Sequence, residues 1–510
     1  MSGRSGTVAR NTLANAAYYG VQMLSTLVVL PVALKAFGRS EYGLYATVSG
    51  LVLLLQFLNL GLNLGMLYLV ADRAARDEKQ FQAIVDNCYV TALIANGVIG
   101  VIIVVLGAFG SAALNVPPSQ HDLFFHLSLV VGITSFANGV LSVPRGILGG
   151  LQRFGLRVAL DMVSVVAPLL AAFIVAVTDI GIVTFVAIAQ VGLVAGGFLC
   201  LLGCRAVVPS LKHRVKVHRE EFGALLSFSG YQAINQVADI VFFTTDRLVL
   251  QRISGSSAVA DYTVVERPNR LADLIVSVPL ASLIPTASDA YARNETSFIN
   301  RTFITGTRLY LALTLPPLAV VVGLMSELLR FWIGSDLERL APYAQILMVA
   351  LMVAAPFKVF THLLAGKGRI KELTLSKAVF APINLAASIL LASHFGLAGV
   401  LIPTAFYYVI VYPVLCSWLI HDEEFLLTTF AGAVRPAALA AGATVAATSF
   451  VSMHLGGVTL MPFVAIFLAA LAASWAFALL VGLDARERTT VATLARRTFR
   501  RPRAAGEAAP

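Results

Sequence analysis

Charge is scarce in this sequence. Only 13% of its 510 residues are Asp, Glu, Lys or Arg, against roughly 25% in an ordinary soluble domain. Hydrophobic residues make up 58% and the mean hydropathy is +0.83. The deficit runs along the whole chain, which excludes a soluble globular protein and fits a polytopic membrane protein. Cysteine is nearly absent too. Cys88, Cys200, Cys204 and Cys416 fall in or beside apolar runs, so they read as small buried hydrophobes, not as a disulfide framework. Cys200 and Cys204 share a helix face, yet no His or carboxylate nearby completes a zinc set, and no metal or cofactor is expected. A phosphate-cradling G-x-x-x-x-G-K-[ST] loop is missing as well. The Gly366-Lys367-Gly368-Arg369 segment lacks the hydroxyl residue and the preceding glycine, which argues against direct use of ATP. No cleavable leader is evident, and the first apolar run is expected to be retained.

What the chain does contain is a succession of apolar runs of bilayer-crossing length, about 20 residues each. They fall near 12–36, 44–70, 84–108, 122–147, 160–177, 181–203, 224–250, 258–288, 304–325, 341–363, 374–393, 397–419, 431–451 and 459–482. The expected fold is therefore all-α, with about fourteen transmembrane helices. Most Lys and Arg fall in alternate loops, while the opposite loops hold only Arg39, Arg252, Arg330 and Arg339. The positive-inside rule then places both termini in the cytoplasm. The net charge of +10 is mostly this bias, with attraction to anionic membrane lipids; nucleic acid is not an expected partner.

The richest inner loop, "CRAVVPSLKHRVKVHREEF" (204–222), lies midway and reads as a linker between related halves. Gly38 and Tyr45 match Gly255 and Tyr262 at an offset of 217, and "GGLQRF" (149–154) parallels "AGKGRI" (365–370) at 216. Pro168 and Gly181 pair with Pro382 and Gly396 at 214 and 215. Ordered matches at near-constant spacing indicate duplicated six-helix units in parallel orientation. The expected organisation is a cytoplasmic N-terminus (1–11), a first six-helix lobe (12–203), a basic linker (204–223), a second lobe (224–419), two additional transmembrane helices (431–482) and a basic cytoplasmic tail (483–510).

At "LPVALKAFGRSEYGLYATVSG" (30–50) the chain resembles the polysaccharide-transporter (Wzx-type, oligosaccharide flippase) branch of the multidrug/oligosaccharidyl-lipid/polysaccharide (MOP) exporter superfamily. Pro31, Gly38 and Tyr42-Gly43-Leu44-Tyr45 carry the likeness. The second copy carries it through Asp246-Arg247, Gly255, Tyr262 and "LLAGKGRIKE", departing at Ala260 where the first copy has Gly43. The resemblance implies two six-helix lobes in a V shape around a central cavity, plus two extra C-terminal helices, working by alternating access in the bacterial inner membrane. It implies a transporter and not an enzyme. The implied cargo is a polyprenyl-pyrophosphate-linked oligosaccharide, flipped from inner to outer leaflet for O-antigen, capsule, exopolysaccharide or another surface glycan, with polysaccharide polymerase machinery as a partner. In relatives that handle peptidoglycan precursors the last two helices form a groove for the polyprenyl tail, and 431–482 is expected to do likewise.

One run, "DYTVVERPNRLADLIVSVPLASLIP" (261–285), is apolar enough to cross a membrane yet carries Glu266, Arg267, Arg270 and Asp273. At ~1.5 Å per residue the group brackets the middle of a ~30 Å hydrocarbon core. Each charge facing lipid would cost roughly 2.5–3.5 kcal/mol, so this face must meet protein or water. Glu266, Arg270 and Asp273 follow i, i+4, i+7 spacing and share a face. Pro268 deprives the Val264 carbonyl of its helical donor and disfavours helical angles at Arg267, so a helix break is expected, of the kind that marks transporter sites. Two readings follow. Arg267 and Arg270 hold the pyrophosphate or acidic sugars of a lipid-linked glycan; or Arg270 is neutralised by Glu266 and Asp273 within the packing.

Asp239, Asp246, Glu266 and Asp273 are candidates for proton or sodium coupling, because a desolvated carboxylate holds its proton more tightly. Asp246-Arg247 also reads as a local ion pair. Asn15, Tyr19 and Gln22 lie at helical spacing and are candidates to line a sugar-binding cavity or to bond between helices. Arg145, Arg153 and Lys358 are candidates for the cytoplasmic mouth, with snorkelling as the plainer account of Lys358. Two rivals stand beside the flippase: a multidrug exporter of the same superfamily, and a membrane glycan polymerase or ligase using Glu327, Asp336 or Glu338 in the outer segment 326–342.

Overall fold

The computed structural model describes residues 2–59, 70, 78–212, 214–218, 237, 238, 240–242, 244–280, 282–369, 371–423, 425–455, 457–485 and 487–489, with side chains of 2–17 and 19 left aside. Among these residues the fold is all-helical, without a strand. Twelve helices are long and apolar enough to cross a membrane. The first expected pair is joined into one long helix, α1 (Ser2–Leu55), whose only non-helical residue is Gly38 at φ 72°, ψ 174°. The seventh span is represented by helical residues 244–254. With these two adjustments the helices fall where hydropathy places them, and the protein is a multi-pass membrane protein.

The chain packs into two compact units. The first, Met1–Val264 with Thr374–Thr404, contains α1, α2 (Glu78–Phe109), α3 (His121–Val140), α4 (Ser142–Gly150), α5 (Phe154–Val177) and α6 (Ile182–Val207). The second is Val265–Leu373 with Ala405–Pro510. It begins within α7 (Ser256–Ser277) and continues through α8 (Leu283–Ala292), α9 (Thr296–Arg301), α10 (Thr307–Gly323), α11 (Met325–Trp332) and α12 (Ala341–Gly366). Helices α13 (Lys371–Phe395) and α14 (Leu397–Phe406) lie mostly in the first unit; α15 (Tyr412–Asp422), α16 (Leu427–Met453) and α17 (Leu460–Gly482) complete the second.

Two of the pairs matched by offset share backbone geometry. Gly38 and Gly255, 217 apart, have φ of 72° and 81°; Gln152 and Gly368, 216 apart, have φ of 59° and 82°. Gly38 lies at the kink of α1, Gly255 just before α7, and Gln152 and Gly368 just after α4 and α12; positive φ at these places disfavours a side chain with a Cβ. Gly43 answers to a different need. A Cβ there would lie 1.8 Å from the backbone oxygen of Ser256, with no flexible side chain to yield. Gly43→Ala is therefore expected to cost about 3 kcal/mol or more by overpacking. Thermal unfolding of the purified variant checks this; an unchanged melting temperature would refute the close approach.

In the second unit, Pro316 and Pro317 lie inside α10. Pro317 cannot donate to the Leu313 carbonyl four residues back, and the indole N–H of Trp475 on α17 donates to it instead, at 3.1 Å. Thr444 and Ser474 join α16 to α17 at 3.2 Å. The two C-terminal helices are thus fastened to the second unit by polar groups that apolar surroundings make worth keeping paired. A ring cluster, Phe303 with Phe360, Phe425 and Phe430, fills its core.

Candidate functional site

The charged run lies on α7, and the helix continues through Pro268 without a non-helical residue. The break expected at Pro268 is therefore corrected: neighbouring turns hold Arg267 in helical geometry, and the proline removes a single donor, the one for Val264, without ending the helix. The last turn is closed by Tyr310, whose hydroxyl donates to the Val276 carbonyl at 2.9 Å, a helix-end acceptor that would otherwise lack a partner.

The charges divide into pairs. Glu266 is buried, and Arg270 Nε donates to its Oε1 at 2.6 Å. The Arg270 side chain remains 48% exposed. Asp273 does not join that pair. It accepts from Lys358 Nζ of α12 at 2.7 Å, and the same ammonium reaches Ser277 Oγ at 3.3 Å. Lys358 thus belongs with the α7 charges and not with the loop at 367–369, because a carboxylate lies within its reach. Asp273 is half exposed, so Lys358→Met is expected to lower stability by only about 0.5–1 kcal/mol. A melting curve in detergent checks this, and the charge-exchanged pair Lys358→Asp with Asp273→Lys should recover the loss.

Arg267 is different. Its Nε is buried and has no acceptor among the described residues, and the Oδ1 of Asn269 two residues on is buried without a donor. A buried guanidinium nitrogen without a partner costs free energy unless a ligand or water supplies an acceptor. Of the three cations here, Arg270 and Lys358 are ion-paired with Glu266 and Asp273, while the Arg267 Nε has no acceptor among the described residues. An aromatic group lies in the same unit. A π-turn at Tyr407–Val411 leads into α15, and Tyr412 packs with Tyr407, Tyr408 and Phe357 while its hydroxyl meets Thr361 Oγ1 at 3.4 Å. π-turns recur where helices are reshaped for function.

The first unit carries its own polar network. Arg145 Nε donates to Asp161 Oδ1 at 2.8 Å, its other nitrogens to Asn138 Oδ1 and the Leu193 carbonyl at 2.7 Å, and Tyr18 donates to Asp161 Oδ2 at 3.1 Å. Both charged side chains are largely buried. Arg145, expected at a cytoplasmic mouth, is consumed by this packing because every face of its guanidinium finds an acceptor. Arg153 is exposed. Its repeat counterpart Arg369 instead contacts Glu372, Asp422 and Glu423, at 3.0, 2.6 and 2.6 Å, and hydrogen bonds to these carboxylates push its pKa above the ordinary arginine value. Asp246 is buried and accepts from Tyr262 and Ser388, at 3.3 and 3.1 Å. Gln22 is exposed on α1. Asp239 and the side chains of Asn15 and Tyr19 lie outside the described residues.

Asp161, Tyr18 and the Arg39–Asp261 ion pair, 2.5 Å, escaped the sequence reading. The one available signal was an ionisable residue at the head of the fifth apolar run. The carboxylate of Glu327 is buried and accepts from Ser452 Oγ at 2.7 Å, an arrangement that anchors α16 to α11.

Residues 8–291 match the family model described as "Polysaccharide biosynthesis protein", and the chain belongs to that family. It is 25% identical over 251 residues to an uncharacterized membrane protein, MJ1068, of Methanocaldococcus jannaschii, a match spanning 48% of each chain. It is 21% identical to the uncharacterized membrane protein EpsK of Bacillus subtilis, over 76% of this chain and 78% of that one. Among solved structures it resembles the lipid II flippase MurJ in an inward closed conformation, with TM-score 0.69, 14% identity and coverage of 95% and 99%. It also resembles an inward-facing multidrug resistance MATE family transporter of the MOP superfamily, with TM-score 0.64, 15% identity and coverage of 78% and 93%. The fold is thus that of the MOP transporters.

Proposed function

We propose that the protein is a transporter that flips a polyprenyl-pyrophosphate-linked oligosaccharide from the inner to the outer leaflet of a bacterial inner membrane, supplying surface polysaccharide synthesis. The observation that carries this reading is Arg267: a guanidinium midway along α7, its Nε buried and without an acceptor among the described residues, beside two ion pairs that engage Glu266 and Asp273 with other cations. A diphosphate supplies the fork of anionic oxygens that a guanidinium matches. Family membership and likeness to a lipid II flippase support a lipid-linked glycan as the cargo. Glu266, Asp273 and Asp246 are the carboxylates proposed for proton or sodium coupling.

The test is complementation of a flippase-deficient strain. Restored surface glycan with a matched protein level supports the assignment; failure to restore any glycan tested counts against it. A second reading, export of aromatic cations, is favoured by the Tyr407, Tyr408 and Tyr412 cluster and by likeness to a MATE transporter. Efflux of a cationic dye by the wild-type chain without glycan rescue would select it.

A further inference from the structure

A second cationic site lies in the first unit, on the face that the charge asymmetry assigns to the cytoplasm. There residues 212 and 214–218 of the basic linker lie beside the first turns of α2. Two side-chain amides hold it. Gln82 Oε1 accepts from the Lys212 backbone N–H at 2.9 Å while its Nε2 donates to the Lys212 carbonyl. Asn87 does the same for His218, with both bonds at 2.8 Å. Each amide engages one linker residue as a neighbouring strand would, and Asn87 is completely buried.

Lys212, Arg214, Lys216 and His218 all line one cleft of about 780 Å³ against the start of α2. Val215 and Val217, on the alternate positions, are 63% and 56% exposed. Among the described residues, none of the Lys212, Arg214 and Lys216 side chains meets a carboxylate. Asp86 is already engaged by Gln82 Nε2 at 2.6 Å and by His218 Nε2 at 3.2 Å, so it fixes the clasp. Glu78, exposed in the first turn of α2, is the other carboxylate of the lining.

Topology requires basic residues in this loop but not this arrangement. Positive-inside bias is satisfied by bases anywhere within it; it does not call for Lys212, Arg214 and Lys216 to line one cleft in a segment held at Lys212 and His218. Two ammonium groups and a guanidinium along one edge are suited to phosphate oxygens. The cleft has the size of a small-molecule pocket and exceeds a single phosphate. The outward valines place it at an apolar boundary. We propose that this cleft binds a phosphorylated group at the face assigned to the cytoplasm, independently of Arg267 and of the transport reading.

The phosphate can belong to a membrane lipid or to a soluble ester, and two arms separate them. The full-length protein in zwitterionic nanodiscs is titrated with inorganic pyrophosphate by calorimetry. In parallel, nanodiscs containing phosphatidylglycerol are analysed by native mass spectrometry for retained lipid. Saturable pyrophosphate binding assigns a soluble ester; lipid retention without it assigns a membrane headgroup. In the arm that binds, Lys212→Gln/Arg214→Gln/Lys216→Gln should weaken binding at least about tenfold. Removing equal charge from the tail, Arg496→Gln/Arg497→Gln/Arg500→Gln, should leave it unchanged. Gln82→Met, which removes no charge, should also weaken it. Equal loss in both triple variants, or no saturable binding in either arm, overturns the proposal. Unaltered binding by Gln82→Met overturns the role of the clasp. The three linker side chains are exposed or nearly so, so unfolding is not the expected consequence of changing them.

Discussion

Arg267→Ala is expected to abolish glycan export at normal protein abundance, while Arg270→Ala retains part of it. Losing a charge-assisted hydrogen bond costs roughly 1.5–3 kcal/mol, or about a ten- to hundredfold loss in affinity. Arg267 has a buried Nε–H without an acceptor among the described residues, whereas Arg270 already gives its Nε–H to Glu266. Stability should move the other way round. Arg267→Ala removes a buried nitrogen that lacks an acceptor and strands no partner, so its melting temperature should hold. Arg270→Ala strands the buried carboxylate of Glu266, and should lower the melting temperature by less than a fully buried pair would, since Arg270 is half exposed. Arg267→Lys keeps the charge but not the fork and should rescue export partially. Export and melting temperature measured on the same three variants separate recognition from folding.

The second large effect concerns Arg145 and Asp161. Removing one member of a buried, hydrogen-bonded ion pair leaves the other charge uncompensated, at a cost of about 3–5 kcal/mol. Arg145→Met and Asp161→Leu should each destabilise by that order. Arg145→Met strands Asn138 and the Leu193 carbonyl as well. The double variant, with no charge left in the site, should recover much of the loss. Thermal unfolding of the four proteins reads this directly. Additive losses in the double variant would show that the two side chains act separately.

Helix positions were legible in the sequence because a span is declared by its length and apolarity, which no tertiary contact overrides. Two of the matched pairs, Gly38 with Gly255 and Gln152 with Gly368, share a positive φ at offsets of 217 and 216, whereas Gly181 and Gly396 differ, at φ −71° and 52°. Glu266–Arg270 could be read because helical spacing alone sets it. Lys358–Asp273, 85 residues apart, and the Gln82 and Asn87 clasps, 130 and 131 residues from their partners, could not. Those contacts depend on how helices pack, which periodicity does not encode. Pro268 misled for the opposite reason. Its local effect is real, but a packed helix can absorb one missing donor and pass through.

The account rests on an acidic headgroup being held by Arg267 within the second unit. Its most direct test is the affinity of the purified chain in nanodiscs for a polyprenyl diphosphate, compared between wild type, Arg267→Ala and Arg270→Ala. At least about tenfold weaker binding by Arg267→Ala, with Arg270→Ala close to wild type, is the predicted result. Wild-type affinity in Arg267→Ala would contradict it.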